Sequence, residues 1–435
     1  MNYNGDFNLN SILFKIEQLY NKYDGMPHVQ EKLLHHVNNI LPLCLENTNI
    51  VHMQREERKK SLTDGSDEFI EMFLAKYNFC YNDHMDLFFN QKYEIIKEDD
   101  IQYLILSSIT KHHTHLLPWK YKIKTSLIKR IRNNLLLKSV PNEDTIHNII
   151  SIMHPSMFYT IYDVKYFLTV LGDILNKKNN ELIYFLMSKT FIPILKDMNQ
   201  ECCNYFGINL MTHFKFKFYD HNIKDCRIIN VCEQSNSTFF NLYIKKEILN
   251  LFVVASHYSL MHHSADQFIE TCPTKIKHAL YLKMNTEDEI INEFLTATTD
   301  VCSGYNIIWK NILFLWKIFI EDKKIPNVFF NNSLKIKLMS LGIYDNDNDC
   351  VTNRISKHLP LVNKFITFWN TYIIINETEG ECVLGVDHVL ALFNAANAMT
   401  ITDKMMLILI RHYYTDVIIE CDKFLINVEL IINNK

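Results

Sequence analysis

The hydrophobic residues of this chain recur mainly at helical spacing. From residue 69 to residue 321, apolar side chains return every three or four positions through most segments, as they do on the buried face of a helix. The pattern predicts helices at 69–79, 99–111, 119–138, 143–153, 161–177, 180–199, 243–260, 264–271, 286–298 and 305–321. Glycine and proline interrupt helices and occur only 9 times each among 435 residues, so the composition also favours a mainly α protein.

The N-terminal part of the chain has a different pattern. Residues 11–45 predict two amphipathic helices, which are separated at Asp24-Gly25 and Pro27. The stretch that follows is polar and dense in charge, which is typical of an exposed loop. We therefore interpret residues 1–48 as a helical appendage, residues 49–68 as a polar linker and residues 69–350 as a central, mainly helical domain.

Strand spacing appears once within this central domain. Phenylalanines at three alternate positions, from Phe214 to Phe218, are separated by lysines, and Cys226–Val231 follows after the polar turn Asp220-His221-Asn222. A period of two is the spacing of a strand with one buried face. We expect a small antiparallel β element near 213–232.

Residues 351–435 predict helices followed by a β-hairpin. The helical segments are Leu361–Tyr372, Asp387–Ala395 and Lys404–Tyr413, and the alternating segments are Val417–Ile419 and Phe424–Val428. Helices followed by a hairpin are the layout of a winged helix, and such units contact either DNA or protein. The predicted fold is mainly α, with a small antiparallel β element and a winged-helix-like C-terminal unit.

The distribution of glycine excludes two kinds of nucleotide site. No Gly-x-Gly occurs, and Gly380-x4-Gly385 is followed by Val386-Asp387 instead of Lys and Ser or Thr. Loops that cradle phosphates need glycines because the backbone must approach the ligand closely. A Walker-type loop and a standard dinucleotide fingerprint are therefore excluded, and we predict a non-enzymatic protein without a cofactor. No apolar run reaches the roughly 20 residues of a membrane span, so we expect no membrane association.

Charge identifies the first candidate site. The chain has a net charge of −4, yet no acidic residue lies between Asp100 and Glu143. On a helix that begins near residue 119, basic residues share the face opposite the apolar one. Cations bind phosphates and aromatic rings stack on bases, so we predict a nucleic-acid interface of Trp119, Lys120, Tyr121, Lys122, Lys129, Arg130 and Arg132. The alternative is a solvated helix face whose acidic partners come from elsewhere in the fold.

Histidine clusters are a second candidate. One comprises His112, His113 and His115, and the other extends from His257 through His262-His263 to Asp266. Imidazoles bind transition metals, which would allow a metal-assisted hydrolase or nuclease. Neither cluster has metal-ligand spacing and no cysteine pair accompanies them, so we expect packing or loop histidines.

A short motif is a third candidate. Tyr205, Leu210 and Met211 fit the Tyr-x4-Leu-apolar pattern by which translation adaptors bind a cap-binding protein. These three residues are the predicted partner-binding site.

Several runs together resemble one family. They are Trp119–Ile131, Val164–Leu175, Lys215–Ile229, Ala255–Ile269, Trp309–Ile320 and His358–Trp369. The runs resemble a family of uncharacterised proteins of mimivirus-like large nucleocytoplasmic DNA viruses. The resemblance covers roughly residues 70–435, implies a location in a cytoplasmic viral factory of the host, and supplies no catalytic residues.

Together these features predict an adaptor of viral gene expression, either nucleic-acid-binding or similar to a translation-initiation scaffold. It would hold nucleic acid, with RNA favoured over DNA, and a viral or host gene-expression protein. The alternatives are the metal-assisted hydrolase, a replication accessory protein and a protein packaged in the virion.

Overall fold

The computed structural model is mainly helical with small sheets, as predicted. It describes residues 8–178, 183–216, 222–232, 237–325, 327–375, 382–398 and 400–431. The chain forms two compact units, Met1–Leu136 and Leu137–Lys435. This division differs from the predicted boundaries at residues 68 and 350.

The described part of the first unit, residues 8–136, consists of five α-helices and a three-stranded sheet. Its elements are α1 (Leu9–Lys22), α2 (Pro27–His35), a π turn (His36–Ile40), α3 (Leu41–Tyr77), β1 (Cys80–Asn82), β2 (Leu87–Phe89), β3 (Ile95–Ile96), α4 (Glu98–His112), a 3₁₀ turn (Thr114–Trp119) and α5 (Lys120–Asn133). The strands pair antiparallel in the order β1-β2-β3. No described residue before Ser66 is buried, so the core of this unit begins in the last turns of α3.

The exposed loop predicted at residues 49–68 is wrong, because this segment lies inside α3. Its charged residues are good helix formers whose side chains remain solvated, and Lys59 and Glu56 lie 3.9 Å apart at i, i+3 spacing. Charge density therefore indicated exposure correctly, but it did not distinguish a loop from a solvated helix.

The first part of the second unit surrounds a parallel sheet. It contains α6 (Glu143–Met153), α7 (Ile161–Leu175), β4 (Tyr184–Leu186), α8 (Ile192–Phe206), β5 (Phe214–Lys215), β6 (Cys226–Ile228), α9 (Ser237–His262), α10 (Ala265–Thr271), α11 (Pro273–Ile276) and α12 (Tyr281–Met284). Short 3₁₀ turns cover Leu136–Lys138, Lys189–Phe191, Leu210–Thr212, Ile223–Asp225 and Lys277–Leu280.

The predicted antiparallel element near 213–232 is wrong in its pairing. Both β5 and β6 pair parallel with β4, in the order β5-β4-β6. Helix α8 carries the chain back between β4 and β5, as a parallel pair requires. The prediction missed β4 because its short apolar run lies in the segment 180–199, which we had assigned to a helix. The turn predicted at Asp220-His221 lies outside the described residues.

Helices α7 and α9 form the centre of this part of the unit. Nearly every residue of α7 from Asp163 onward is buried, and Gly172 lets the two helix backbones approach closely. Buried Asp173 accepts hydrogen bonds from the Ser259 hydroxyl at 2.6 Å and from the Ala265 backbone at 2.7 Å, which connects α7 to α9 and α10.

The described residues of the second part of this unit add three small antiparallel sheets to a helical core. Its first elements are α13 (Glu287–Thr298), β7 (Asp300–Ile308), α14 (Trp309–Asp322), α15 (Asn331–Ser340), β8 (Tyr344–Asp345) and β9 (Cys350–Ile355). The sheet order is β7-β9-β8. Residues 305–308, predicted as the start of a helix, belong to β7 instead.

The C-terminal elements match the predicted succession of helices and hairpin. They are α16 (Leu359–Tyr372), β10 (Ile373–Ile375), β11 (Val383–Gly385), α17 (Val386–Asn397), α18 (Asp403–Tyr413), β12 (Ile418–Glu420), β13 (Phe424–Ile426) and β14 (Val428–Leu430). The three strands β11-β13-β12 form one antiparallel sheet, and β10 pairs with β14. Buried Leu425 faces the core, while Ile418 points outward.

Candidate nucleic-acid interface

The basic segment forms α5, as predicted, and its apolar face is fixed in the core. Ile123, Leu127, Ile128 and Ile131 are buried and pack with residues of α3, α4 and β1. Their spacing places them on one side of the helix. The opposite side of α5 therefore faces solvent.

The two arginines of α5 bind acidic residues of neighbouring elements. Arg130 forms an ion pair with Glu71 of α3. Arg132 lies 2.8 Å from Glu98 of α4 and 3.8 Å from Asp86, and the hydrogen bond to Glu98 raises the pKa of Arg132. For these two residues, other elements of the fold supply the acidic partners, as expected if this side of α5 is a solvated helix face. Arg130 and Arg132 thus hold α5 on both flanks.

The lysines of α5 have no such partners. Lys122 Nζ lies 3.9 Å from the centroid of the Trp119 ring, and Lys120 Nζ lies 4.8 Å from that of Tyr121. Lys129 is exposed. Within the described part of the chain, no carboxylate is within ion-pair distance of Lys120, Lys122 or Lys129. These three cations are free to bind an external anion.

The outward face of α5 forms one polar stripe. Lys122, Ser126, Lys129 and Asn133 follow each other at i, i+4, i+7 and i+11, which places them on a line about 16 Å long. The stripe combines cations with hydroxyl and amide donors. Ser126 and Asn133 were not among the predicted site residues, because charge and aromatic character do not indicate uncharged donors on the same helix face.

The start of α5 adds to the positive potential. Its first turn contains Lys120 and Lys122 and no acidic residue. The N-terminal end of a helix carries a partial positive charge, so lysines there repel it and acidic residues would be more stable. The sequence therefore concentrates positive charge where it weakens the helix, which is the opposite of optimisation for stability.

The two predicted aromatic residues differ in accessibility. Tyr121 is 61% exposed, although Lys120 Nζ and Lys124 Nζ lie over its ring at 4.8 Å and 5.9 Å from the centroid. Trp119 is half-buried against the core of the unit, and Lys122 lies over its ring. Tyr121 is therefore the aromatic residue that can stack on a base, whereas Trp119 positions Lys122.

Of the three predicted partner-binding residues, one is buried in the core and two lie partly exposed beside it. Leu210 is fully buried, and Tyr205 and Met211 pack against the same cluster of apolar residues. Burial raises the pKa of Tyr205. Leu210 is therefore inaccessible to a partner in the folded chain, whereas Tyr205 and Met211 keep partly exposed side chains.

The histidines are placed among aromatic rings. His113 lies 5.0 Å from the ring of Phe69, and His262 lies 4.8 Å from the ring of Phe268. Burial lowers the pKa of His262. Among the described residues, no group of three His, Cys, Asp or Glu side chains is arranged to hold a metal ion.

The fold and the surface define a mainly helical, two-unit protein with an acid-free lysine stripe on one unit. No described helix is both long enough and apolar enough to cross a membrane. The chain matches no family model, and no curated protein or solved structure is detectably similar to it.

Proposed function

We propose that this chain is a nucleic-acid-binding adaptor and that α5 holds the nucleic acid. Lys120, Lys122 and Lys129 bind phosphates, Ser126 and Asn133 donate hydrogen bonds, and Tyr121 stacks on a base. The observation that carries the proposal is the free state of the three lysines, while both neighbouring arginines are paired.

Single-stranded RNA is the favoured ligand. A stacking tyrosine needs an unpaired base, which loops and single strands provide. Arginine is the side chain that most often reads bases in a duplex groove, and the two arginines of α5 are engaged with carboxylates. Binding is therefore expected to be weakly selective for sequence.

The C-terminal elements support the adaptor role. Strand β11, helices α17 and α18 and the hairpin of β12 and β13 follow one another along the chain, and the three strands share one sheet; this order is the basis for proposing a winged-helix unit. A DNA-binding unit of this kind presents cations on its second helix, but here Lys404 pairs with Glu321 at 2.6 Å and Arg411 pairs with Asp422. This unit is therefore assigned to protein contact instead of DNA binding.

The outward face of this sheet is mostly apolar, with exposed Glu420 beside Phe424. Val383, Ile426 and Ile418 lie side by side across the three strands, and exposed Phe424 lies in the next row. Exposed apolar patches on sheets mark interaction surfaces. Together with the resemblance to viral proteins, this face favours a viral or host gene-expression protein as the partner, in the host cytoplasm.

Charge reversal on α5 tests the RNA-binding proposal. The variant Lys122→Glu/Lys129→Glu removes two of three phosphate contacts, and we expect its affinity for a labelled single-stranded RNA of mixed sequence to fall at least about tenfold. For the unchanged protein, three contacts predict a slope of log K against log salt of about −2. Fluorescence anisotropy over a salt series measures both.

The matched control is Lys76→Glu/Lys92→Glu. Both lysines are exposed on the same unit but lie outside α5, and the change in net charge is the same. We expect RNA affinity close to that of the unchanged protein. Equal loss of binding in both double variants would show that only net charge matters, and the proposed interface would have to be abandoned.

A further inference from the structure

The second unit contains a cavity of about 580 Å³. It lies at the carboxyl ends of the parallel strands, where Leu186, Ile228 and the half-buried Phe216 form part of its wall. The end of α14, Ile325 and residues 327–330 form another part of the wall. The volume is in the range of small-molecule sites, and such sites combine an apolar lining with a few polar groups.

The topology of the sheet explains why a crevice forms there. The chain runs from the central strand β4 to β5 on one side, and later to β6 on the other side. Strand β4 therefore lies between two strands that both follow it in the chain, so the strand order of the sheet reverses at β4. In parallel sheets, this switch point is where ligands bind.

The charged side chains of the cavity leave it positive. Lys189, Lys324, Lys404 and Glu321 all line it. Glu321 is engaged with Lys404 at 2.6 Å. Among the described residues, no carboxylate lies within ion-pair distance of Lys189 or Lys324, so two cations remain available to an anionic ligand.

Lys324 occupies a position where glycine is preferred. Its φ is 53°, in the left-handed region, and it ends α14 through two backbone hydrogen bonds, Lys324 N to Glu321 O and Ile325 N to Ile320 O, both 3.0 Å. Glycine is the usual residue at this site because a side chain is strained there. The lysine therefore costs stability, and its Nζ lies 4.0 Å from the ring centroid of Tyr159, another residue of the cavity wall.

We infer that this cavity binds a nucleoside monophosphate. Lys189 and Lys324 hold the phosphate, and the planar base lies against Phe216 and the exposed Phe330. A single phosphate fits because the chain has no glycine loop that would cradle a diphosphate with its backbone. This site is independent of the lysine stripe on α5.

Isothermal titration calorimetry of the full chain with AMP, adenosine and inorganic phosphate tests the inference. We expect AMP to bind at a ratio of one to one, and adenosine and phosphate to bind at least about tenfold more weakly, since each lacks one half of the contacts. Absence of AMP binding would overturn the inference. Adenosine or phosphate binding as tightly as AMP would do so as well.

Lys324→Gly isolates the role of the cation. Glycine is favoured in this backbone conformation, so the variant keeps the fold and removes only the side chain; we expect AMP affinity to fall about tenfold. Lys177→Gly is the matched control, because Lys177 is also left-handed, with φ 52°, at the end of α7 and does not line the cavity. Equal AMP affinity of the two variants would refute the assignment of Lys324.

Discussion

Replacement of Gly172 by alanine tests the packing that forms the centre of the second unit. A Cβ atom at this position would lie 2.0 Å from the Ala255 carbonyl oxygen and 2.7 Å from Ser259 Cβ. The first of these is a backbone atom of α9, so no rotation of a side chain relieves the clash. Helix α9 must move away from α7, and the hydrogen bond between Ser259 and Asp173 must lengthen with it.

Two opposing contributions determine how much Gly172→Ala changes the free energy of unfolding. Overpacking of a core costs about 1–3 kcal/mol, and a clash with backbone belongs at the upper end. Alanine gains about 1 kcal/mol over glycine inside a helix. We therefore expect Gly172→Ala to lower the free energy of unfolding by about 2 kcal/mol. Urea denaturation followed by tryptophan fluorescence measures it, since Trp309, Trp316 and Trp369 all belong to this unit.

Gly65→Ala is the control with the same chemical change. Gly65 is also inside a helix, but its nearest neighbour is the imidazole of His115 at 3.1 Å, which is an exposed side chain that can shift. We expect a change of at most about 1 kcal/mol in either direction. If Gly172→Ala is as stable as the unchanged protein, the close approach of α7 and α9 is not a feature of the folded chain.

Three further substitutions test the C-terminal sheet and the ion pair between buried Arg227 and Asp266. Leu425→Asp should destabilise the fold by about 4 kcal/mol or more, whereas Ile418→Asp on the outward face should change stability by less than about 0.5 kcal/mol; thermal unfolding that ranks them equally would contradict the register of the sheet. Burial raises the pKa of Asp266, but hydrogen bonds from Arg227 and Lys283 outweigh it and hold that pKa below its ordinary value. The ionised carboxylate therefore stabilises the fold above about pH 4, and this stabilisation is lost as the pH falls through the lowered pKa. We expect Asp266→Asn to lower the free energy of unfolding by about 3 kcal/mol at pH 7 and by much less at pH 2.5. Urea denaturation at both pH values measures the difference.

Helices with clear local signals could be predicted from the sequence. Helix α6 has the predicted bounds, and α13 begins with a capping box in which Thr286 and Glu289 bind each other's backbone. The C-terminal hairpin was predictable for the same reason, since its alternation and its turn are adjacent in the chain. In each case, the residues that determine the structure lie within a few positions of one another.

The parallel sheet could not be predicted in this way. Its central strand β4 has only three residues, and its partners β5 and β6 lie far along the chain. A short apolar run does not distinguish a strand from part of a buried helix. The alternation at Phe214 was recognised correctly as strand spacing, but the choice of partner strand depends on a crossover through α8 that no local pattern specifies.

In the candidate site, too, some features follow from neighbouring residues in the sequence and others depend on residues far along the chain. The position of the cations on α5 follows from helical spacing, but the distinction between arginine and lysine depends on Glu71, Asp86 and Glu98, which lie outside the acid-free segment. Arginine has a planar group that suits fixed pairing with carboxylates, whereas lysine is a solvated point charge. An acid-free segment can therefore serve two purposes at once. Its arginines attach the helix to the fold through carboxylates from other elements, and its lysines, which no carboxylate of the same segment can neutralise, remain available to phosphates. The proposed interface is made of lysines, which would position a nucleic acid without reading its sequence, and this is the property that the proposed adaptor role requires.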